Sequence, residues 1–454
     1  MIDATTLVIL GAGGDLTSRL LLPALGQLLT REPTRSVRIV GADREEWTDA
    51  ELQTVVATAF ASMDADDAAA RVDVTYMRTD ITRAEDLRAL MSGLTGRVAI
   101  YFAVPPAVAA ACISALTPDM LPEGAMLVME KPFGTDEASA RDLNRVLTAL
   151  VPETQVFRVD HFLGRSTTLN LLGARFANRI LEPLWSAESI ESVDIVYDES
   201  LALEGRAGYY DSAGALVDMI QSHLLQVLAV LAMEEPATLD EVDFRAATGA
   251  VLRATTVWGD DPAASSHRAR YTAGDIDGTP KPSYVDEPGV DPSRETETLA
   301  EATFEVRNAR WAGIPFRLRS GKALGTPARE IVVRFRPVRH LPRGLTGTSD
   351  GAVLRFSLGP DRMSLELNLN ASEDPFELER AILSAELGEG ALKAYAEVLS
   401  GVLDGDPMLA VRGDAAEQSW RIVAPILEAW RRGDVPLDDY VAGSSGPEDW
   451  PALG

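Results

Sequence analysis

The chain reads as a doubly wound α/β domain followed by an α+β domain, and three observations predict this. Short β-branched runs alternate with helical-length segments from residue 5 to about 160. Beyond residue 165 the strand-like runs instead alternate in polarity with period two. At 454 residues, 46% hydrophobic and 24% charged, the chain is long enough for two cores of ordinary size.

In the first part, strands are expected at Thr6–Leu10, Val37–Gly41, Val72–Met77, Val98–Val104 and Met126–Met129. They are almost continuously apolar, as strands of a parallel sheet covered on both faces must be. In the second part, helices are expected over Thr167–Ile180 and Ala213–Met233. Alternating strands are expected around Ser192–Tyr197, Ile331–Arg336 and Leu365–Leu369. Period-two alternation means one face buried and the other wet or paired, which is the signature of an antiparallel sheet. The stretch Gly259–Pro292, rich in Asp, Pro, Gly and Ser, reads as a long surface loop. Two amphipathic helices, near Ala391–Val402 and Ala415–Arg431, close the chain. The expected division is residues 1–165 and 166–454.

The net charge of −27 opposes phosphate backbones and anionic lipid, which excludes nucleic acid and membrane surfaces as partners. It also means that an anionic ligand must be received by locally placed cations. No apolar run approaches the roughly 18 to 20 residues of a membrane span, and the amino terminus lacks the order of a secretory signal, so the expected compartment is the cytoplasm. Cys112 is the only cysteine and falls in an apolar helical pattern (Val108–Leu116), where a buried inert thiol is expected.

The first strand runs into Gly11-Ala12-Gly13-Gly14-Asp15-Leu16. Glycines at a strand-to-helix turn let backbone approach a pyrophosphate, whose charge then sits at the positive helix end. The third glycine of G-x-G-x-x-G is replaced by Leu16, so the motif alone is weak. The second strand ends in Asp43-Arg44. A carboxylate here suits the ribose 2′-hydroxyl of NAD, and a guanidinium suits the 2′-phosphate of NADP.

A denser stretch follows at Arg158-Val159-Asp160-His161-Phe162-Leu163-Gly164-Arg165, which packs a carboxylate, an imidazole and a guanidinium between a strand end and a helix start. Those are parts for removing a proton and holding an anion. The run resembles the R-I-D-H-Y-L-G-K-E signature of glucose-6-phosphate dehydrogenases, with Phe162 for Tyr, Arg165 for Lys and Ser166 for Glu. Gly11 to Leu25 is similar to that family's G-A-S-G-D-L-A-K-R-K-L-Y-P-A-L. Glu204-Gly205-Arg206 through Tyr210-Asp211 and on to Gln221-Ser222-His223-Leu224-Leu225-Gln226 resembles the family segment that carries the catalytic histidine. Tyr101 to Pro106, the Glu130-Lys131-Pro132-Phe133-Gly134 run, and the closing Trp420 to Trp430 agree with it.

The resemblance implies an amino-terminal Rossmann domain and a carboxyl-terminal domain built on a large, mainly antiparallel sheet, through which dimers or tetramers form. It implies oxidation of the C1 hydroxyl of glucose 6-phosphate, with hydride transfer to NADP. His223 would be the base and Asp160 its orienting carboxylate. Gly11, Gly13, Gly14, Asp15, Leu16, Asp43, Arg44, Val104, Pro105 and Lys131 would hold the cofactor, with Arg44 favouring NADP and Asp43 permitting NAD. Lys131, His161, Phe162, Arg165, Glu199, Asp218 and Lys322 would hold the sugar phosphate, and no metal is called for. His267 and His340 read as plain surface residues.

Three departures fall on the sugar side: Leu20 where the family has Lys, Phe162 where it has Tyr, and no basic residue near Pro327. They keep two rivals open at this point. One is a related dehydrogenase for another hexose or hexose derivative, whether unphosphorylated and NAD-linked or differently substituted. The other is a relative without catalysis that binds a cofactor or partner.

Overall fold

A computed structural model describes residues 5–203, 205, 207–388 and 390–450. Of the segments that carry the resemblance, Glu204 and Arg206 lie outside the described residues. The chain divides into two compact units. The first comprises Met1–Arg165, Pro236–Gly249 and Gly390–Gln418, and the second comprises Ser166–Glu235, Ala250–Glu389 and Ser419–Gly454.

The first unit is built on β1 (Thr5–Leu10), β2 (Val37–Asp43), β3 (Asp73–Arg78), β4 (Val98–Phe102), β5 (Met126–Met129) and β6 (Val156–Val159). All six run parallel in the order β6-β5-β4-β1-β2-β3, and a two-residue strand, Ala410–Val411, adds an antiparallel edge beside β6. β1 lies between β2 and β4, so the strand order reverses there and a crevice opens at its carboxyl end. β1 is buried along its whole length, which explains why Leu7, Val8, Ile9 and Leu10 need no polar alternation. Covering helices include Asp49–Ala61, started by a Thr48/Glu51 capping box, and Pro106–Ala115. Cys112 sits in the latter, fully buried, where burial pushes its thiol up to about 12, so it is inert as expected.

The second unit is built on β7 (Ile190–Asp198), β8 (Ser266–Thr272), β9 (Leu299–Val306), β10 (Phe316–Gly321), β11 (Arg329–Phe335), β12 (Val353–Leu358), β13 (Asp361–Asn370), β14 (Glu377–Glu386) and β15 (Leu437–Val441). Their order in the sheet is β14-β13-β12-β11-β7-β10-β9-β8-β15, mostly antiparallel, with parallel pairs at β7/β10 and β8/β15. At the centre of the sheet, on β7, β10 and β11, the polar side of the alternation is paired. Asp194 of β7 is buried and accepts from Arg317 of β10 at 2.8 Å and Arg334 of β11 at 2.7 Å.

Three sequence expectations are corrected here. The stretch Gly259–Pro292 is not a loop, because it contains β8 and the hairpin Gly274–Ile276/Thr279–Lys281. Its Arg268 and Tyr271 are buried, Arg268 donating to the Val435 carbonyl and Tyr271 packing edge-on against Tyr284 and Tyr440. His267 is therefore a half-buried strand residue beside Trp450, and burial depresses its pKa; His340 is exposed as expected. Finally, Ala207–Ala232 is long and apolar enough to span a membrane by length and composition, but 83% of its apolar window is buried inside the protein. It is a core segment of the second unit, kinked at Gly214.

Candidate active site

Gly11 ends β1 at φ +92°, a conformation that favours glycine, and a Cβ there would strike the Ala103 carbonyl at 2.5 Å and Val104 at 2.6 Å. The turn is thus pressed against the segment after β4, which brings Gly11 and Val104 together. Gly11 accepts a hydrogen bond from the buried Thr17 hydroxyl at 2.9 Å and is bonded by the Gly14 amide at 3.0 Å, so the turn is fixed from within. Gly13 and Gly14 lead from this turn into a helix, as a pyrophosphate-binding turn does, with the Gly13 amide held by Asp43 and the Gly14 amide by the Gly11 carbonyl. Asp43 is half-buried and held in place by backbone. Its two carboxylate oxygens accept from the Gly13 amide at 3.1 Å and the Arg44 amide at 2.8 Å, while Arg44 is exposed. Asp15 is exposed and faces Arg19 at 3.9 Å, a pair that contributes little. Leu20 is 48% exposed in the same helical turn region.

After β6 the chain makes a tight turn. Asp160 is 1% exposed, and its carboxylate accepts from the Phe162 amide at 2.9 Å, fixing the turn that carries His161. Burial raises Asp160 to about 6, against the opposing pull of His161, Lys131 and Arg165. Phe162 is buried, and the Arg165 guanidinium stacks 4.4 Å from its ring centroid, so the aromatic supports the cation. Arg158, the leading cation of the motif, is fully buried and committed to Glu153, Asn144 and the Val411 carbonyl; it is a structural anchor.

Residues that sequence reasoning missed stand behind Lys131. The Glu130 carboxylate accepts from the hydroxyls of Tyr101 and Tyr395, which are 2.8 Å from each other, and burial raises Glu130 to about 7. The Tyr395 ring lies 6.2 Å from that of His161. The E-K-P run pointed to Glu130, but nothing local marked its partner 265 residues away.

In the second unit, Lys322 follows β10 and pairs with Glu199 at 2.7 Å, with its ammonium 5.1 Å from the Tyr210 ring centroid. Both sides of the pair are tied to backbone. The Lys322 amide donates to the Thr298 carbonyl and the Glu199 amide to Gly321. Asp218 and His223 lie in Leu216–Leu224, which winds as a π-helix, a form often found at functional sites. In an α-helix, positions five apart point about 140° from each other. The wider winding pairs positions five apart across one turn, which brings Asp218 and His223 toward one side. His223 is 2% exposed.

A parallel-sheet switch point with a buried carboxylate in the first unit, and a buried histidine with a carboxylate–ammonium pair in the second, are the parts of a nicotinamide-dinucleotide-dependent dehydrogenase acting on a CH–OH group. The comparisons narrow the class. Residues 8–170 match the family described as glucose-6-phosphate dehydrogenase, NAD binding domain, and residues 172–453 match its C-terminal domain. The glucose-6-phosphate 1-dehydrogenase of Gluconobacter oxydans is 38% identical, over 97% of this chain and 94% of that protein. The enzyme of Bacillus subtilis is 33% identical over 98% and 95%. A crystal structure of glucose-6-phosphate 1-dehydrogenase from Mycobacterium avium superposes with a TM-score of 0.85 at 32% identity, covering 98% of this chain and 95% of that one. A structure of glucose-6-phosphate dehydrogenase in complex with its substrate glucose-6-phosphate also gives 0.85, at 29% identity, covering 98% and 96%. The chain belongs to the glucose-6-phosphate dehydrogenase family.

Proposed function

We propose that this protein oxidises the C1 hydroxyl of glucose 6-phosphate to the 6-phosphogluconolactone, with NADP as hydride acceptor. The observation that carries the reading is the Asp160–Arg165 turn, in which a buried carboxylate, an imidazole and an aromatic-supported guanidinium are held within six residues. Its setting is a family that includes a structure described as bound to glucose-6-phosphate.

Oxidation at C1 removes a hydride from carbon and a proton from the hydroxyl oxygen. The bound dinucleotide supplies the hydride acceptor. His223 takes the proton, and Asp160, ionised above about pH 6, stabilises the imidazolium that results. Arg165 and His161 grip the phosphate, with Arg165 offering two parallel donors where a lysine would offer a point charge. Glu199, Asp218 and Lys322 hold the sugar hydroxyls, and Lys131 holds sugar and cofactor together. In this reading residues 1–165 bind the dinucleotide, residues 166–454 carry the sugar and assembly surfaces, and the enzyme works in the cytoplasm.

The cofactor preference follows from Asp43 and Arg44. Arg44 is exposed beside Asp43, whose oxygens hold the Gly13 and Arg44 amides, and its guanidinium is the group suited to a 2′-phosphate. Arg44→Ala is expected to raise the Michaelis constant for NADP roughly tenfold or more, the size of a lost charge-assisted contact, and to leave that for NAD nearly unchanged. Wild-type preference for NAD, unaffected by the substitution, would assign the ribose to Asp43 instead.

The outer strands β13 and β14 expose Leu369, Ile382 and Leu383, apolar side chains that fit burial between copies in a dimer or tetramer. Sedimentation showing a monomer at micromolar concentration would remove that part.

A further inference from the structure

The helix that carries Asp218 and His223 does not begin at Ala207. It is broken at Gly214, which adopts φ +68° and ψ 175°, and restarts there. A restarted helix has orphan amides in its first turn, and in a buried position each must find an acceptor. Ala215, at the N-cap, has no side-chain acceptor to offer. The acceptor arrives from 81 residues away: the Glu297 carboxylate takes the Leu216 amide at 2.9 Å, and the Glu297 carbonyl takes the Ala215 amide at 3.2 Å. Glu297 is 7% exposed, and its carboxylate fills the space beside Gly214, where a Cβ would meet its oxygen at 2.2 Å.

The same short segment reaches the sugar-holding lysine. Thr298, next to Glu297, accepts the Lys322 amide on its carbonyl at 2.9 Å, and its hydroxyl meets that of Tyr440 at 2.8 Å. Tyr440 in turn donates to the Lys322 carbonyl at 2.7 Å. Thr296, on the other side, donates to the Asp211 carbonyl at 2.7 Å, upstream of the kink.

We propose that Glu297 is a positioning residue for the reaction. Its carboxylate sets the start, and hence the winding, of the helix that presents Asp218 and His223, while the adjoining Thr298 sets Lys322 from the same strap. The inference rests on the functional reading above for the parts those three residues play. Glu297 itself reaches the chemistry only through the backbone of Leu216.

Glu297→Ala, Glu297→Gln and Gly214→Ala, compared as full-length enzymes, test this. Glu297→Ala orphans a buried amide and is expected to lower kcat/KM for glucose 6-phosphate by roughly 10- to 100-fold, while the NADP dissociation constant stays within about threefold. Glu297→Gln keeps a carbonyl oxygen for the Leu216 amide and is expected to recover to within about fivefold of wild type. In Gly214→Ala the added Cβ displaces the carboxylate, so this variant is expected to match Glu297→Ala without loss of the Glu297 side chain. Amide exchange at Leu216 is expected to quicken by roughly tenfold or more in Glu297→Ala and to stay slow in Glu297→Gln.

Equal losses of sugar and dinucleotide binding would reduce Glu297 to a general packing residue and overturn the proposal. So would a Glu297→Gln as impaired as Glu297→Ala, or an unchanged Leu216 exchange rate. If Glu297→Ala does not fold, the Glu297→Gln and Gly214→Ala comparison decides. If the wild type fails to oxidise glucose 6-phosphate, the functional reading has failed, and the exchange rates still report separately whether Glu297 caps the helix.

Discussion

His223→Ala is expected to lower turnover by roughly 10²- to 10⁴-fold, the contribution of a positioned general base. The Michaelis constant for NADP is expected to change little, because a base that acts on the sugar hydroxyl is not asked to hold the dinucleotide. The protonation state of Asp160, the proposed orienting carboxylate, adds a pH signature. Asp160 has a pKa raised by burial to about 6, so its carboxylate is ionised above that value and protonated below it. Activity that needs the ionised form is therefore present above about pH 6 and falls as pH drops through it. Asp160→Asn, which cannot ionise, is expected to keep the turn's acceptor oxygen for the Phe162 amide and still lose most of the turnover at every pH. A His223→Ala enzyme within a few-fold of wild type would take the base assignment away from His223.

The second large effect concerns the phosphate. A charge-assisted contact contributes on the order of 1.5 to 3 kcal/mol, and each 1.4 kcal/mol is about tenfold. On the proposed assignment of His161 and Arg165 to the phosphate, glucose 6-phosphate is expected to exceed free glucose in kcat/KM by at least about 10²-fold. Arg165→Ala is expected to abolish most of that advantage while barely altering the reaction with free glucose. Arg158 cannot substitute for it, being fully buried and bonded to Glu153 and Asn144. Equal efficiency on the two sugars in the wild type would contradict the phosphate assignment, and would mark Leu20 and Phe162 as signs of a remodelled pocket.

How much of this was legible in the sequence depends on whether the deciding contact is local. The glycine turn and the Asp160–Arg165 turn are short-range objects, in which each residue's neighbours along the chain supply most of its geometry; both could be read directly. The apolar strands β1, β4 and β5 were equally plain, because burial on both faces leaves no polar residue to confuse the pattern. β8 was hidden among polar residues. Arg268 is tolerated in the interior only because the Val435 carbonyl, 167 residues on, accepts from it. Likewise Glu297 looks like any charged residue before a strand, and its importance lies in the Leu216 amide it caps. The π-winding around His223 was also invisible, since a spacing of five fits no regular α-helical face.

The central claim is most directly tested by following nicotinamide reduction by absorbance, with NADP and with NAD, against glucose 6-phosphate, glucose and a panel of other hexoses and hexose phosphates. The account predicts rapid reduction with glucose 6-phosphate and NADP, at least about 10²-fold more efficient than with free glucose. No reduction with glucose 6-phosphate, or faster reduction with another sugar, would contradict it.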